Sequence, residues 1–137
     1  MCDSPDILPM TEAAAGIWPW SCDNTIIQYN EVWGHKAPWD AQGFDSDYNC
    51  QNTLIQYNYS HDNYGGMVLI CNSGNAGDYS CGNIGSIVRY NISIGDGIRP
   101  KETRQGMFSP SIHIAGPVKQ TLVERNIIHA NLNRLMQ

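Results

Sequence analysis

Side chains of the kind used in acid–base catalysis lie close together between residues 36 and 61. Asp40, Asp45 and Asp47 form a short acidic segment, which Lys36 precedes and His61 follows. Carboxylates can move protons or hold a hard cation, and a lysine or histidine can remove a proton. The sequence therefore predicts Asp45, Asp47, His61 and Lys36 as catalytic residues. It also predicts Asp40, Asp45 and Asp47 as metal ligands, with calcium as the hypothesis for the cation.

Aromatic residues flank the acidic segment on both sides. Flat aromatic faces can stack on sugar rings, while nearby carboxylates hydrogen-bond sugar hydroxyl groups. This combination favours a groove for a sugar polymer, and polysaccharide is the predicted partner. The predicted substrate-binding residues are Trp18, Trp20, Trp39, Tyr64, Arg99 and His113.

Three chemistries are compatible with these residues. In a lyase or an epimerase, the cation would neutralise a uronate while Lys36, Arg99 or His61 removes the neighbouring proton. In a hydrolase, Asp45 and Asp47 would be the acid/base pair. Neighbouring outward residues of one strand lie about 6.5–7 Å apart, which suits a shared cation or a hydrolytic pair equally. A non-catalytic module that binds glycans or has a structural role is the alternative.

A repeat organises the chain and must position these residues. The segment TIIQYN at 25–30 returns as TLIQYN at 53–58, SIVRYN at 86–91 and, more loosely, TLVERN at 121–126. Each period reads as three short strands with an asparagine at one corner. Asparagine tolerates left-handed backbone geometry, and stacked asparagine amides can form a hydrogen-bonded ladder. We therefore predict an all-β, right-handed parallel β-helix of about four coils, with an Asn ladder at one corner.

Strand alternation predicts which side chains of the first strand in each coil face outward. The predicted core column is Ile17, Phe44, Met67 and Ile112, and the predicted outward column is Trp18, Asp45, Val68 and His113. In the second strand, alternation predicts a core column of Ile27, Ile55, Val88 and Val123. The catalytic candidates would therefore lie on the outer face of the first-strand sheet.

The Asn-corner coils, from about Gly16 to Asn131, resemble the pectate-lyase-like superfamily of parallel β-helices. The segments GFDSD at 43–47 and NYSHDN at 58–63 are also similar to the alginate (mannuronan) C5-epimerases. Those enzymes pair Gly-Phe/Ile-Asp-Pro-His with Asn-x-Ser-His-Asp-Asn, whereas Ser46 and Asp47 stand here in place of the proline and histidine. The resemblance implies that a groove on the first-strand face acts on or binds an acidic polysaccharide.

The charge balance limits the other partners. The chain has a formal net charge of −5, and only 15% of its residues are charged. Nucleic acids and anionic membranes select basic surfaces, so neither is an expected partner. Because 42% of the residues are hydrophobic, disorder is not expected either.

Cysteine positions bear on the compartment. Cys22 and Cys50 occupy equivalent places one coil apart, within reach of a disulfide, and Cys71 and Cys81 bracket a loop. Disulfides would indicate a secreted or periplasmic protein, whereas buried thiols are the alternative. The N-terminus carries no signal-peptide pattern. Export is the expectation.

The ends of a solenoid need cover because they present open strand edges. Residues 1–15 are predicted as an N-terminal capping segment and residues 16–137 as one β-helix domain whose C-terminal end reads as truncated. We expect the chain to form a homo-oligomer or to be capped by another chain.

Overall fold

The computed structural model describes residues 13–73, 82–103 and 106–130, and it contains short β-strands and no helix within these ranges. Most strands have three or four residues, as expected for a chain that turns a corner after each strand. The strands are β1 (Ile26–Gln28), β2 (Glu31–Trp33), β3 (Phe44–Ser46), β4 (Leu54–Gln56), β5 (Tyr59–His61), β6 (Val68–Cys71), β7 (Asn83–Ile84), β8 (Ile87–Arg89), β9 (Ile92–Ile94), β10 (Ile112–Ala115), β11 (Val118–Lys119), β12 (Leu122–Glu124) and β13 (Ile127–His129).

Strands from successive repeats pair in parallel. The first sheet has the order β10-β6-β3, the second β1-β4-β8-β12 and the third β13-β9-β5-β2, while β11 and β7 form a short pair. Every named strand pair is parallel. The prediction of an all-β fold with parallel strands is confirmed, and the arrangement is consistent with a β-helix or solenoid.

Apolar side chains from the three sheets meet in one core. The second-strand column predicted from alternation is confirmed, because Ile27, Ile55 and Val88 are buried and Val123 packs against them. The outward neighbours in these strands are exposed or half-buried. Alternation identified this face because only one side of the strand is buried.

The predicted register of β6 is wrong by one residue. Phe44 pairs with Val68, which pairs with Ile112, so Val68 lies in the core column where Met67 was predicted. Leu69 consequently takes the outward place between Asp45 and His113. All four residues of β6 are buried, and a strand buried on both faces shows no alternation from which its register can be read.

Hydrogen bonds join the four asparagines that close the repeated segment. The Asn30, Asn58 and Asn91 main-chain and side-chain amide groups each donate to the Oδ1 of the asparagine in the next repeat, at 2.9–3.1 Å, ending at Asn126. The left-handed backbone predicted for these asparagines lies one residue earlier. Positive φ angles of 53–58° occur at Tyr29, Tyr57, Tyr90 and Arg125.

A second buried polar chain runs beside β2, β5 and β9. Asn63 Oδ1 accepts from the main-chain N–H of His35, and Asn63 donates from its own main-chain N–H and its amide to Asp96 Oδ1. Ser93 donates to the other oxygen of Asp96 at 2.6 Å. These hydrogen bonds link buried polar groups of this corner across three repeats.

Among the described residues, the structure contains no helix of the length and apolar character needed to span a bilayer. Most of the predicted N-terminal cap and the last residues of the predicted domain, 131–137, lie outside the described ranges, as does Cys81.

Candidate active site on the first sheet

Two loops cover the outer face of the first sheet. Asp45, Leu69 and His113 lie in register across β3, β6 and β10 and form the outward column of this sheet. The Phe108 ring contacts the His113 ring with centroids 4.6 Å apart and the Trp39 ring with centroids 6.5 Å apart. The loops that carry Trp39 and Phe108 therefore overlie this face.

This cover leaves very little of the Asp45 side chain exposed. The side chain lies in the outward column, as predicted, but it is only 2% exposed. Leu69 beside it is also buried.

A cavity of about 340 Å³ remains beneath this cover. Four of the predicted site residues line it, namely Asp40, Asp47, Trp20 and Trp39. The other lining residues are Ala13, Tyr48, Leu69, Cys71, Asn72, Phe108 and Ala115. The cavity thus combines two carboxylates with aromatic walls, and it is the candidate active site.

Arg99 fixes the loop that carries Trp39 and Asp40. Its two terminal nitrogens donate to the main-chain oxygens of Ala37, Pro38, Trp39 and Asp40. The residue is only 6% exposed. Because these donors are engaged with the main chain, Arg99 positions the loop, and its predicted contact with substrate stays a prediction.

The same loop is held from two other directions. Ala41 N–H donates to Ala14 O, and Gly65 N–H donates to Ala41 O, both at 2.9 Å. A Cβ at Gly65 would lie 2.5 Å from the main chain of Ala41 and Gln42, so only glycine permits this approach. The close packing fixes the height of Asp40 above the sheet.

Asp47 is oriented at the end of β3. One of its oxygens, Oδ1, accepts from the main-chain N–H of Tyr48 at 2.7 Å and from the Cys71 thiol at 3.3 Å. The buried amide of Asn83 donates to the main-chain oxygens of Ser46, Asp47 and Cys71. Asn83 therefore ties together the ends of β3 and β6, where Asp47 and Cys71 project.

The environments of the three carboxyl groups raise their pKa values. Burial, then the charge of Asp47, raises the pKa of Asp40 to about 6 against the opposing charge of Arg99. Burial, then the charges of Asp47 and Asp40, raises the pKa of Asp45 well above its usual range. Burial also raises the pKa of Asp47, while the hydrogen bonds from Tyr48 and Cys71 act in the opposite direction.

The metal-capable group differs from the predicted one. Within the described ranges, Asp45, Asp47 and Cys71 offer ligand atoms that all lie within 4.8 Å of one another. The predicted set contained Asp40 in place of Cys71. Calcium takes six to eight oxygen ligands, so a group that includes a thiol sulfur does not fit the calcium hypothesis.

His61 lies on a different sheet from the carboxyl groups of the candidate site. It belongs to β5 in the third sheet, where its ring nitrogens contact Asp62 and Glu31 and its ring stacks on Trp33 and Tyr59. Burial lowers the pKa of His61, but the hydrogen bonds to the two carboxylates outweigh it and the net shift is upward. His61 is not a lining residue of the cavity.

The remaining predicted residues are not among those that line the cavity. Lys36 and Arg99 both lie over the Tyr64 ring, 6.0 and 5.9 Å from its centroid. Trp18 makes an edge contact with Trp20, which in turn contacts Tyr48. Burial lowers the pKa of His113, which contacts the site through Phe108. Their predicted roles stay predictions.

The three described cysteines, Cys22, Cys50 and Cys71, are free thiols. Cys22 and Cys50 donate to the main-chain oxygens of Trp20 and Pro19 rather than forming the hypothesised disulfide. The proposed pairing of Cys71 with Cys81 lies outside the described residues.

Sequence reasoning missed four contributors to the site. Tyr48 and Phe108 are single aromatic residues in loops, and Asn83 acts only through the folded main chain. The sequence indicates Cys71 as a disulfide partner or a buried thiol, and neither interpretation places it in the site. The acidic segment supplied a signal for Asp40 and Asp47 alone.

Comparison with known proteins gives one partial relative. No family model matches the chain. A lacto-N-biosidase of Bifidobacterium longum subsp. longum is 39% identical over 99 residues, covering 69% of the chain and 5% of the lacto-N-biosidase. The chain therefore spans only a small part of the length of that relative. No solved structure matches.

Proposed function

We propose that the chain is part of a carbohydrate-active enzyme that hydrolyses glycosidic bonds in the cavity on the first sheet. The observation that carries the proposal is the presence of two carboxylates, Asp40 and Asp47, in one cavity walled by Trp20 and Trp39. Glycoside hydrolysis uses a pair of carboxyl groups, one as the acid and the other as a base or nucleophile.

Asp40 acts as the general acid in this proposal. Burial and the charge of Asp47 raise its pKa to about 6, so the group carries a proton under mildly acidic conditions. A carboxyl group in that state can protonate the leaving oxygen of a glycosidic bond. Arg99 donates a hydrogen bond to the main-chain oxygen of Asp40. The loop that Arg99 holds therefore sets the position of the Asp40 carboxyl group.

Asp47 acts as the base or nucleophile. Hydrogen bonds from the Tyr48 N–H and the Cys71 thiol favour its charged form and fix the orientation of one oxygen. Two carboxyl groups whose environments differ in this way divide into an acid and a base. Asp45 is buried behind the cavity and is not a member of this pair.

The partial similarity supports a carbohydrate-active role. The matching protein is described as a lacto-N-biosidase, and the shared region is a small part of it. The aromatic walls add independent support, because sugar rings stack on such faces. A lacto-N-bioside and acidic polysaccharides are accordingly the substrates to test first.

The test is hydrolysis by the purified chain of a panel that contains an aryl lacto-N-bioside, neutral oligosaccharides, alginate and pectate. We expect release of reducing sugar or aryl alcohol, lost by about a hundredfold or more in Asp40→Asn and Asp47→Asn. Asp23→Asn, an exposed aspartate outside the cavity, is the matched control and should keep full activity. The wild-type rate should fall as the pH rises through about 6, because Asp40 then loses its proton.

Three results would contradict this assignment. Full activity in Asp40→Asn would remove the proposed acid. Formation of unsaturated uronates from alginate or pectate would indicate a lyase instead. Glycan binding without turnover would indicate the non-catalytic binding module.

For the fold we propose a right-handed β-helix of about four coils with an Asn ladder, of the pectate-lyase-like type. The parallel sheets and the amide hydrogen bonds from Asn30 to Asn126 support it. We further propose export to the compartment that holds the glycan, and cover of the solenoid ends by a second copy or another chain. Light scattering at micromolar concentration tests the last point, since a monomer would contradict self-association.

A further inference from the structure

Three possible metal ligands converge where β3 and β6 end, at the floor of the cavity. One oxygen each of Asp45 and Asp47 and the Sγ atom of Cys71 lie within 4.8 Å of one another. Asp45 is buried, and its Oδ1 atom has no hydrogen-bond partner in the described part of the chain. A buried carboxyl oxygen without a hydrogen-bond donor is costly, and a cation bound beside it would offset that cost.

We propose that Asp45, Asp47 and Cys71 form a binding site for a zinc ion, with the fourth coordination position open to the cavity. Asp47 and Cys71 both line the cavity, whereas Asp45 approaches from the buried side. Three protein ligands and one open position are the arrangement of zinc sites that admit water or another small ligand.

The donor set selects zinc over the hard cations. Zinc accepts thiolate and carboxylate ligands together in tetrahedral geometry, whereas calcium and magnesium take oxygen ligands. On binding, the S–H bond of Cys71 breaks, a zinc–sulfur bond forms and the proton passes to the buffer. Two carboxylates and one thiolate then face a divalent cation.

The fold already holds the ligands near one another. The Cys71 thiol donates to Asp47 Oδ1 at 3.3 Å, so a proton occupies the space between two of the proposed ligands. Asn83 donates to the main-chain oxygens of both Asp47 and Cys71, at 3.1 and 3.2 Å. A cation could therefore replace that proton without a large movement of either strand end.

Zinc binding and the proposed hydrolysis share Asp47. A bound zinc ion withdraws the carboxylate that the hydrolysis needs, so zinc should inhibit the enzyme. Binding itself does not depend on the proposed function. Zinc uptake without hydrolysis would overturn only the hydrolase, and hydrolysis without zinc uptake would overturn only the metal site.

The experiment titrates the full chain, reduced and freed of metal, with zinc in competition with a chromophoric chelator. Cobalt then serves as a spectroscopic probe, because a thiolate ligand gives a sulfur-to-cobalt charge-transfer band. The variants are Cys71→Ser and Asp45→Asn, and Cys22→Ser is the matched control because its thiol lies outside the cluster. Near-ultraviolet circular dichroism reports whether each variant is folded.

We expect one zinc ion per chain, proton release on binding and the cobalt band in the wild type and Cys22→Ser. Each ligand variant should weaken zinc affinity by roughly tenfold or more, and Cys71→Ser should lose the band. No uptake by the wild type, or a band that survives in Cys71→Ser, would overturn the site. Unchanged affinity in a folded Asp45→Asn would remove Asp45 from it. Should Cys71→Ser fail to fold, the wild-type band and Asp45→Asn decide.

Discussion

Buried polar groups differ in their hydrogen bonding between the asparagine corner and the outer face of the first sheet. At the corner, Asn58 and Asn91 are buried and hydrogen-bonded through both their amide groups and their oxygens. On the first sheet, Asp45 is buried, and one of its oxygens has no hydrogen-bond partner among the described residues. The corner uses its polar groups for stability, whereas the first sheet keeps carboxyl groups in an environment that raises their pKa values.

The origin of the two regions explains the difference. The corner is built by the sequence repeat itself, so each asparagine amide meets the equivalent amide in the next repeat. The first sheet is completed by loops that do not repeat, held by Arg99 and closed by the Trp39 and Phe108 rings. Substitutions at the corner should therefore change stability, and substitutions around the covered face should change activity.

The largest loss of stability is expected for Asn91→Ala at the corner. The Asn91 amide donates to the main-chain oxygens of Ile55 and Arg89 and to Asn126, and its oxygen accepts from Asn58. Removal leaves several buried partners unpaired, which costs about 3 kcal/mol or more. Urea unfolding measures the loss.

Gln28→Ala is the matched control for that substitution. Gln28 accepts from the Gln56 amide at 2.9 Å, but this pair is exposed to solvent. We expect a change within about 0.5 kcal/mol. A comparable loss in both variants would show that burial does not distinguish the two amide contacts.

A smaller loss of stability, with a larger local effect, is expected for Arg99→Met. The substitution frees the main-chain oxygens of residues 37–40, which can then open to water, and it costs about 2 kcal/mol. It also removes a charge that lowers the pKa of Asp40, so the fall in activity with rising pH should move to higher pH. Hydrogen exchange of the amides between residues 37 and 41 measures the opening.

Arg125→Met provides the comparison for the Arg99 substitution. Arg125 is an exposed arginine at the corner that donates to the Tyr90 hydroxyl at 3.0 Å. We expect unchanged exchange in residues 37–41 and a stability change within about 0.5 kcal/mol. If hydrogen exchange in residues 37–41 were also unchanged in Arg99→Met, Arg99 would not hold this loop in place.

The same contrast shows how far the sequence could predict the molecule. The strands and the core column of the second sheet followed from alternation at Ile27, Ile55 and Val88, because those strands are buried on one face only. The register of β6 did not follow, because Val68 to Cys71 are all buried. The carboxylates of the site followed from their spacing, but the cover over Asp45 depends on contacts made by residues far away, such as Arg99 with residues 37–40 and Phe108 with Trp39.

A weaker, pH-dependent effect is expected at Asp96, the one acidic member of the second polar chain. Burial raises the pKa of Asp96, while hydrogen bonds from Ser93, Ser60 and Asn63 act in the opposite direction. A raised pKa in the folded state favours folding below the ordinary value of 3.8, and this contribution is lost as the pH rises through the folded pKa. Asp96→Asn removes the titration, so its free energy of unfolding should change less with pH over this range. An equal slope in both proteins would contradict the prediction.

The smallest net effect is expected for Tyr57→Asn on the exposed side of the corner. The Tyr57 ring stacks between Tyr29 and Tyr90, at centroid distances of 5.5 and 5.3 Å. Loss of the ring should cost at most about 0.5–1.5 kcal/mol per ring pair. Tyr57 has a φ of 54°, however, and asparagine adopts this left-handed geometry more readily than tyrosine.

These two effects oppose each other in Tyr57→Asn, whereas Tyr57→Ala loses the stacking without the gain in backbone preference. Urea unfolding should therefore rank Tyr57→Asn above Tyr57→Ala in stability. The reverse order would mean that the position of the tyrosine column depends on something other than backbone geometry and ring stacking.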